Sequence, residues 1–171
     1  QRMAQVWLKQ SSYPKVYVKS KYLPNRKIFV LSLEQKGFKE GMHWEFPFDV
    51  ALYDENGRSL ADQIFRVNKP KEEIVFKNVK RPAFVSMNRN FSFFGKVFYE
   101  YSREELYLQA KNDPDIVNRY MAFYQLAQTQ MMELLKNENA HVDKGFVEMY
   151  FNFLNDENLM DLVGPAIVTI F

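Results

Sequence analysis

Cysteine is missing from all 171 residues. Its absence excludes a disulfide-stapled module, a thiolate zinc finger and a cysteine nucleophile. Histidine is nearly as scarce, with only His43 and His141 far apart in the chain. A hydrolytic zinc site needs three protein ligands, commonly two histidines one helical turn apart with a glutamate between them, and no His-Glu-x-x-His occurs. His43-Trp44-Glu45 has the histidine–carboxylate spacing of zinc deaminases without their cysteines, so both histidines read as surface or cap-like residues. Glycine is sparse too: six stand singly, with no phosphate-cradling run and no Gly-x-Ser-x-Gly elbow. No apolar stretch approaches the roughly 20 residues of a membrane helix, and no signal peptide opens the chain. The expectation is therefore no catalytic, cofactor-binding or metal residue within this chain. It opens on Gln1 rather than methionine, which reads as a processed or excised piece.

Aromatic residues, by contrast, are plentiful: Phe 16, Tyr 10 and Trp 2 supply apolar bulk for a sizeable core. The net charge of +2 hides an asymmetry, with 18 Lys+Arg against 10 Asp+Glu up to Tyr101 and 5 against 11 from Ser102 onward. The first half therefore carries +8 and the second −6. Lys15, Lys19, Lys21, Lys36, Lys39, Lys69, Lys71, Lys77 and Lys80 are scattered among strands, where lysines guard exposed edges. No aromatic-basic recognition motif accompanies them, so nucleic acid is not an expected partner.

The first half reads as β. Val16 and Val18 alternate with Tyr17 and Lys19, Leu23-Pro24-Asn25-Arg26 supplies a turn, and Phe29, Leu31 and Leu33 share one strand face. Phe46 to Tyr53 gives the cleanest strand, with Phe46, Phe48, Val50 and Leu52 on one side and Glu45, Asp49 and Tyr53 on the other. Pro47 cannot donate to a ladder, which predicts an edge or bulge at that end. Asn56-Gly57 predicts a hairpin, because both residues tolerate positive φ, with a return strand over about Ser59 to Phe65. Further strands are expected at Glu73 to Phe76, Pro82 to Met87 and Lys96 to Tyr101. About seven short strands in a hundred residues predict a two-sheet sandwich, with a barrel as the structural rival.

After Tyr101 the period changes to helical. Ser102-Arg103-Glu104-Glu105 fits a capping box. Asp113-Pro114 reads as a second helix start with proline at the first helical position, running to about Lys136. Its buried stripe is expected at Ile116, Tyr120, Phe123 or Tyr124, Ala127, Met131 and Leu134. Asp143 opens a third helix with Phe146, Met149, Tyr150 and Phe153 inward, and Asp156 a short fourth ending at Val163-Gly164. The paired carboxylates Glu104/Glu105 and Asp113/Asp115 lie at helix N-termini, where acids favour the dipole, so capping rather than catalysis is expected of them. Ala166 to Phe171 has strand propensity, but Pro165 can open a helix and helix is the expectation there. Asn90-Phe91-Ser92-Phe93-Phe94-Gly95 places three phenylalanines between two strands. A loop covered by a neighbouring domain accounts for them best, with a ligand-binding loop as the alternative.

Five stretches in order carry a family resemblance. They are Trp7…Gln10-Ser11-Ser12-Tyr13-Pro14-Lys15-Val16-Tyr17-Val18, then Phe46 through Asp54-Glu55-Asn56-Gly57, then Phe91-Ser92 before a strand. Asn112-Asp113…Asn118-Arg119-Tyr120 and Phe153-Leu154-Asn155-Asp156-Glu157 complete the set. Together they resemble the aminopeptidase N family of zinc metallopeptidases, in its bacterial-type members. Tyr120 stands where the family has tryptophan, and Met121 and Tyr124 replace its acidic residue and glutamine. The resemblance implies that residues 1–101 are the immunoglobulin-like β-sandwich following the catalytic domain. Residues 102–171 would be the N-terminal part of an α-helical C-terminal domain, with about four helices. It implies a non-catalytic fragment of an enzyme that removes N-terminal amino acids from peptides, with zinc held in the parent and none here. Implied partners are the catalytic domain, the remaining helical domain and, for the parent, peptide substrates; neither nucleic acid nor membrane is implied, and a cytoplasmic location is expected. The rival is a free-standing adhesion or peptide-binding sandwich that uses a sheet edge.

Overall fold

Apolar–polar alternation sets the first two strands, β1 (Lys15–Leu23) and β2 (Ile28–Lys36), of the computed structural model, which describes residues 6–9 and 11–168. Val16 and Val18 on β1 and Phe29, Leu31 and Leu33 on β2 are all buried. The hairpin between them is a 3-10 turn over Pro24–Arg26, closed by Lys27 in the left-handed region at φ 50°. β1 and β2 pair antiparallel from Lys15↔Lys36 to Leu23↔Ile28. The remaining strands are β3 (Phe46–Tyr53), β4 (Ser59–Val67), β5 (Lys71–Lys77), β6 (Phe84–Met87) and β7 (Lys96–Phe98). They form two sheets, β5-β2-β1-β7 and β4-β3-β6, so the chain carries the expected seven-stranded sandwich rather than a barrel. Only β7 runs parallel to its neighbour, β1.

The expected β3–β4 hairpin is present, with its turn set by a side chain. Gly57 takes positive φ at 73°, but Asn56 does not. The Asp54 carboxylate sets the turn instead, its Oδ1 accepting from the backbone N–H of Asn56 and of Arg58, each at 2.9 Å. This chemistry is an Asx turn, in which a side chain stands in for backbone. β3 departs from simple alternation. Phe46, Phe48, Val50 and Leu52 fill the core as expected, yet Glu45, Asp49, Ala51 and Tyr53 are buried as well. The strand is central, flanked by β4 along its whole length but by β6 only from Val50 to Tyr53. Pro47 is exposed in the half that β6 does not reach, where a missing N–H costs no ladder bond.

Between the sheets, Trp44, Phe46, Phe48, Leu31 and Val16 are fully buried. The polar Gln35 shares this interior. Gln35 on β2 donates from Nε2 to the carbonyls of Trp44 (3.0 Å) and Lys69 (2.8 Å), and its Oε1 accepts from Trp44 N–H at 2.9 Å. Its amide thus clasps the β2–β3 connection to the β4–β5 loop. Buried and fully hydrogen-bonded, it avoids the penalty of an orphaned amide.

By spatial clustering the chain divides between Tyr101 and Ser102. The second unit contains α1 (Arg103–Asn112), α2 (Ile116–Lys136), α3 (Lys144–Leu154) and α4 (Glu157–Val168). Ser102 and Glu105 form the expected reciprocal capping box, with Glu105 N–H on Ser102 Oγ at 3.1 Å and Ser102 N–H on Glu105 Oε2 at 2.7 Å. The start of α2 is shifted from expectation. Asp113 is the C-cap of α1, Asp115 is the N-cap of α2, and Pro114 falls between them rather than at the first helical position. The buried stripe of α2 is also rotated: Ala122, Phe123, Leu126, Ala127 and Gln130 face inward, while Met131 is exposed. Gln130 explains the rotation, because its Oε1 accepts the Asp143 N–H at 2.8 Å and fixes the N-cap of α3. Phe123 is the centre of this unit, stacked on Phe146 at 5.3 Å and tilted against Phe153 at 4.5 Å. α4 runs on through Gly164 to Val168, so the expected stop at Gly164 does not occur and Ala166–Val168 is helix rather than strand. The part of that expectation falling on residues 169–171 lies outside the described residues.

Two of these caps generate a pH dependence. The Asp143 and Asp156 carboxyls are both held below the ordinary carboxylate range. The first cause is the backbone N–H of Phe146 on Asp143 and of Leu159 on Asp156, each bonding the charged form. A depressed folded-state pKa gives stability that is whole above the unfolded value of about 4 and is lost as pH falls through the folded value. Urea unfolding followed by helical circular dichroism should therefore show a falling midpoint from about pH 5 to 2. The double variant D143N/D156N, which keeps a capping oxygen, should flatten that fall. An unchanged slope in the variant would place the acid sensitivity elsewhere.

Candidate functional site

β6 ends at Met87, and the next eight residues are built around one asparagine. Asn88 sits in the left-handed region at φ 53°. Its Oδ1 accepts from Ser92 Oγ and from Phe93 N–H, each at 3.0 Å, and its Nδ2 donates to Phe93 O at 3.2 Å. A single amide therefore ties both ends of the loop. Asn90 (φ 53°) and Phe91 (φ 49°) are left-handed as well. Asparagine tolerates that region, but for a bulky residue such as Phe91 it is strained.

The loop lies along the half of β3 that has no β6 partner. The Asp49 N–H donates to Ser92 Oγ at 3.0 Å, and Asn90 Nδ2 reaches Asp49 Oδ2 at 3.4 Å. Arg89 places Nη1 3.3 Å from Asp49 Oδ1 and 2.8 Å from Asp62 Oδ2, joining β3, β4 and the loop. Burial opposes its charge, but the Asp62 hydrogen bond and both carboxylates outweigh that and raise its pKa. Paired on both sides, this guanidinium locks the sheet and is not available to a ligand. Phe93 turns inward, stacked on Phe46 at 4.2 Å and edge-on to Phe48 at 5.8 Å. Gly95 follows where a Cβ would lie 2.7 Å from Pro14 O and 2.3 Å from the Phe93 ring, so no other residue fits. Lys96 N–H then donates to Pro14 O at 2.9 Å and starts β7 beside β1.

The three phenylalanines of the loop have different surroundings within this chain. Phe93 is covered by its own sandwich, whereas Phe91 and Phe94 are 71% and 78% exposed. Phe94 meets only the edge of Tyr13 among the described ring contacts, at 6.2 Å.

The other residues singled out from sequence occupy structural positions. His43 is half-buried before β3 and His141 is exposed before α3, each in a different unit. Glu105 closes the capping box, and Glu104 stands in the first turn of α1. The buried Asp113 accepts from Gln109 Nε2 and Asp115 N–H, both at 2.9 Å. Among the described residues no group of three or more His, Cys, Asp or Glu side chains is placed to hold a metal ion. Two clusters were missed. Arg103 spans Glu133 (3.1 Å) and Asp143 (3.3 Å), with Tyr107 Oη donating to Asp143 at 3.2 Å. Arg119 donates from Nε to Ala110 O at 3.2 Å and from Nη2 to Asp156 at 3.1 Å, with its guanidinium 5.5 Å from the Phe153 ring centroid. The Asn118-Arg119-Tyr120 stretch was the available signal for the second.

Comparison with known proteins extends this geometry. A family model described as domain of unknown function DUF3458, with an Ig-like fold, matches residues 12–100. Its companion, DUF3458_C, described as ARM repeats, matches residues 103–169. The crystal structure of Legionella pneumophila aminopeptidase A in complex with aspartic acid covers 98% of this chain at 25% identity and TM-score 0.80. This chain covers 20% of that protein, about a fifth of its length. These matches support the aminopeptidase N-type character read from the ordered motifs.

The loop geometry yields opposite expectations for two neighbouring positions. Replacing Asn88 by alanine leaves the Ser92 hydroxyl and Phe93 N–H without their acceptor, and should cost about 2 kcal/mol. Phe91→Gly removes left-handed strain of about 1–2 kcal/mol against a glycine entropy cost of about 0.4–1 kcal/mol. The sandwich should then be as stable as before or slightly more so. Urea midpoints of the two variants test this, and a clear loss in Phe91→Gly would show that the ring supports the fold.

Proposed function

This chain belongs to the Ig-like DUF3458 family, and from that premise we propose that it is the non-catalytic segment of a zinc-dependent aminopeptidase. The parent enzyme would remove N-terminal amino acids from peptides. The segment would act as scaffold, joining the catalytic domain to the rest of the helical domain. The observation that carries this reading is the order of the two units. A sandwich followed directly in sequence by a capped helical unit matches a solved aminopeptidase over 98% of this chain.

Of the paired carboxylates, Glu105 closes the Ser102 capping box, Asp115 accepts the Asn118 N–H, and Asp113 accepts from Gln109 and the Asp115 N–H, while Glu104 stands in the first turn of α1. The parent's zinc and its activated water would be supplied by residues outside this segment.

The isolated chain should hold no zinc tightly in equilibrium dialysis and should not turn over aminoacyl reporter substrates. The reading frame upstream should encode His-Glu-x-x-His, and the full-length product should show chelator-sensitive aminopeptidase turnover. A zinc ion retained by the isolated chain, or a stop codon directly upstream, would refute the scaffold reading and favour a free-standing sandwich.

A further inference from the structure

The outer face of the β5-β2-β1-β7 sheet carries an arrangement that scaffolding does not require. Lys15 on β1 stands opposite Lys36 on β2 and, on its other side, opposite Lys96 on β7. Three lysines thus occupy one row across three neighbouring strands, about 4.8 Å from strand to strand. Like charges directly opposite one another destabilise a sheet. None of the ion pairs among the described residues includes any of the three.

Aromatic rings support the row. Tyr17 and Phe98 are opposite each other two residues further on and stack at 4.7 Å with an 8° interplanar angle. Lys36 Nζ lies 4.5 Å from the Tyr17 centroid and Lys96 Nζ 5.1 Å from that of Phe98. Lys15 Nζ lies 5.9 Å from Tyr13, which in turn meets the exposed Phe94. Cation–π contact holds a flexible ammonium in place without neutralising it. Further along β1 the face is mixed: Glu34 stands opposite Tyr17 and pairs with Lys71 at 3.2 Å, and Glu73 lies across Ser32 from Lys19, so the unpaired charge is the row itself. The result is a fixed row of uncompensated positive charge with exposed aromatic surface beside it.

We propose that this row is a docking surface for an acidic polypeptide segment. Its carboxylates would be received by Lys15, Lys36 and Lys96, and its apolar side chains would lie on Tyr13 and Phe94. Charge complementarity selects an anionic partner, and the ring geometry selects among anions. Single-stranded nucleic acid needs free aromatic faces for its bases. Within the row itself the faces of Tyr17 and Phe98 are taken up by each other and by the lysines over them, so no run of free ring faces follows the ammonium groups; Tyr13 and Phe94 stand beside the row.

A fluorescein-labelled oligoglutamate peptide, titrated with the purified chain, tests this by fluorescence anisotropy. Saturable binding that weakens with added salt is expected. K15Q/K36Q/K96Q should weaken it by about tenfold or more, whereas K77Q/K80Q/R81Q, with the same charge change at the opposite strand ends, should change it by less than about twofold. K15R/K36R/K96R should retain binding. Lys15→Glu, at the centre of the row, should abolish binding and raise the melting temperature, because it replaces two like-charge neighbours by two opposite-charge ones. No binding, equal losses in the two glutamine triples, or a lowered melting temperature in Lys15→Glu would overturn the proposal. Tighter binding of an oligothymidylate than of oligoglutamate would overturn it as well, in favour of single-stranded nucleic acid.

Discussion

The sandwich depends on how one open edge is closed. β3 is its central strand, yet β6 pairs with it only from Val50 to Tyr53, so the edge from Phe46 to Asp49 has no strand beside it. Buried backbone groups without partners are costly. The loop from Asn88 to Phe93 supplies what a strand would have supplied. Ser92 takes the Asp49 N–H, Arg89 and Asn90 take the Asp49 carboxylate, and Phe93 covers Phe46 and Phe48. To do so the chain must turn tightly, which is why Asn88, Asn90 and Phe91 are left-handed. The exit at Gly95 is then pressed against Pro14, and that contact sets β7 parallel to β1. The alignment of Lys96 with Lys15 and of Phe98 with Tyr17 is the last consequence of the same closure.

The helical unit solves its own termini by a different route. Each helix start is capped by a side chain: Ser102, Asp115, Asp143 and Asp156. Two of these caps also serve as anchors for arginines from other helices. Arg119 on α2 holds the Asp156 cap of α4 and the Ala110 carbonyl of α1, and Arg103 on α1 holds the Asp143 cap of α3. A cap used this way fixes the start of one helix relative to the side of another. Such pairs are worth little as isolated surface bridges. Their role is positional, and the packing energy comes from Phe123 and its three aromatic neighbours.

Most of this architecture was legible because it follows simple periods. The inward faces of β1, β2 and β3, the capping box at Ser102 and the inward face of α3 all obey them. Two of the misreadings share one cause: a polar residue whose partner is distant in sequence. Gln130 turns into the core to hold Asp143, so the stripe of α2 rotates away from Met131. Asp49 looked solvent-facing by alternation, but Arg89 and Asn90, forty residues on, make it a buried anchor. Asp113 and Asp115 are both cap residues, and composition does not say which closes α1 and which opens α2. The loop was flagged by its three phenylalanines. Which one plugs the core depends on the left-handed turns, and those leave no periodic trace.

Phe91 and the lysine row are the two places where local preference and the fold disagree. Left-handed backbone at a bulky residue and like charges facing across strands both raise the energy of the folded state. Disagreements of this kind persist where something other than the domain's own stability maintains them. Within the sandwich neither is rewarded: the Phe91 ring is largely in solvent, and the lysines have rings beneath them but no carboxylate. Both arise from one closure, because the turn that strains Phe91 also delivers Lys96 to its place beside Lys15. The edge repair of β3 thus fixes the position of exposed chemistry on a rigid support. That is the arrangement by which an otherwise structural domain presents a surface to a partner.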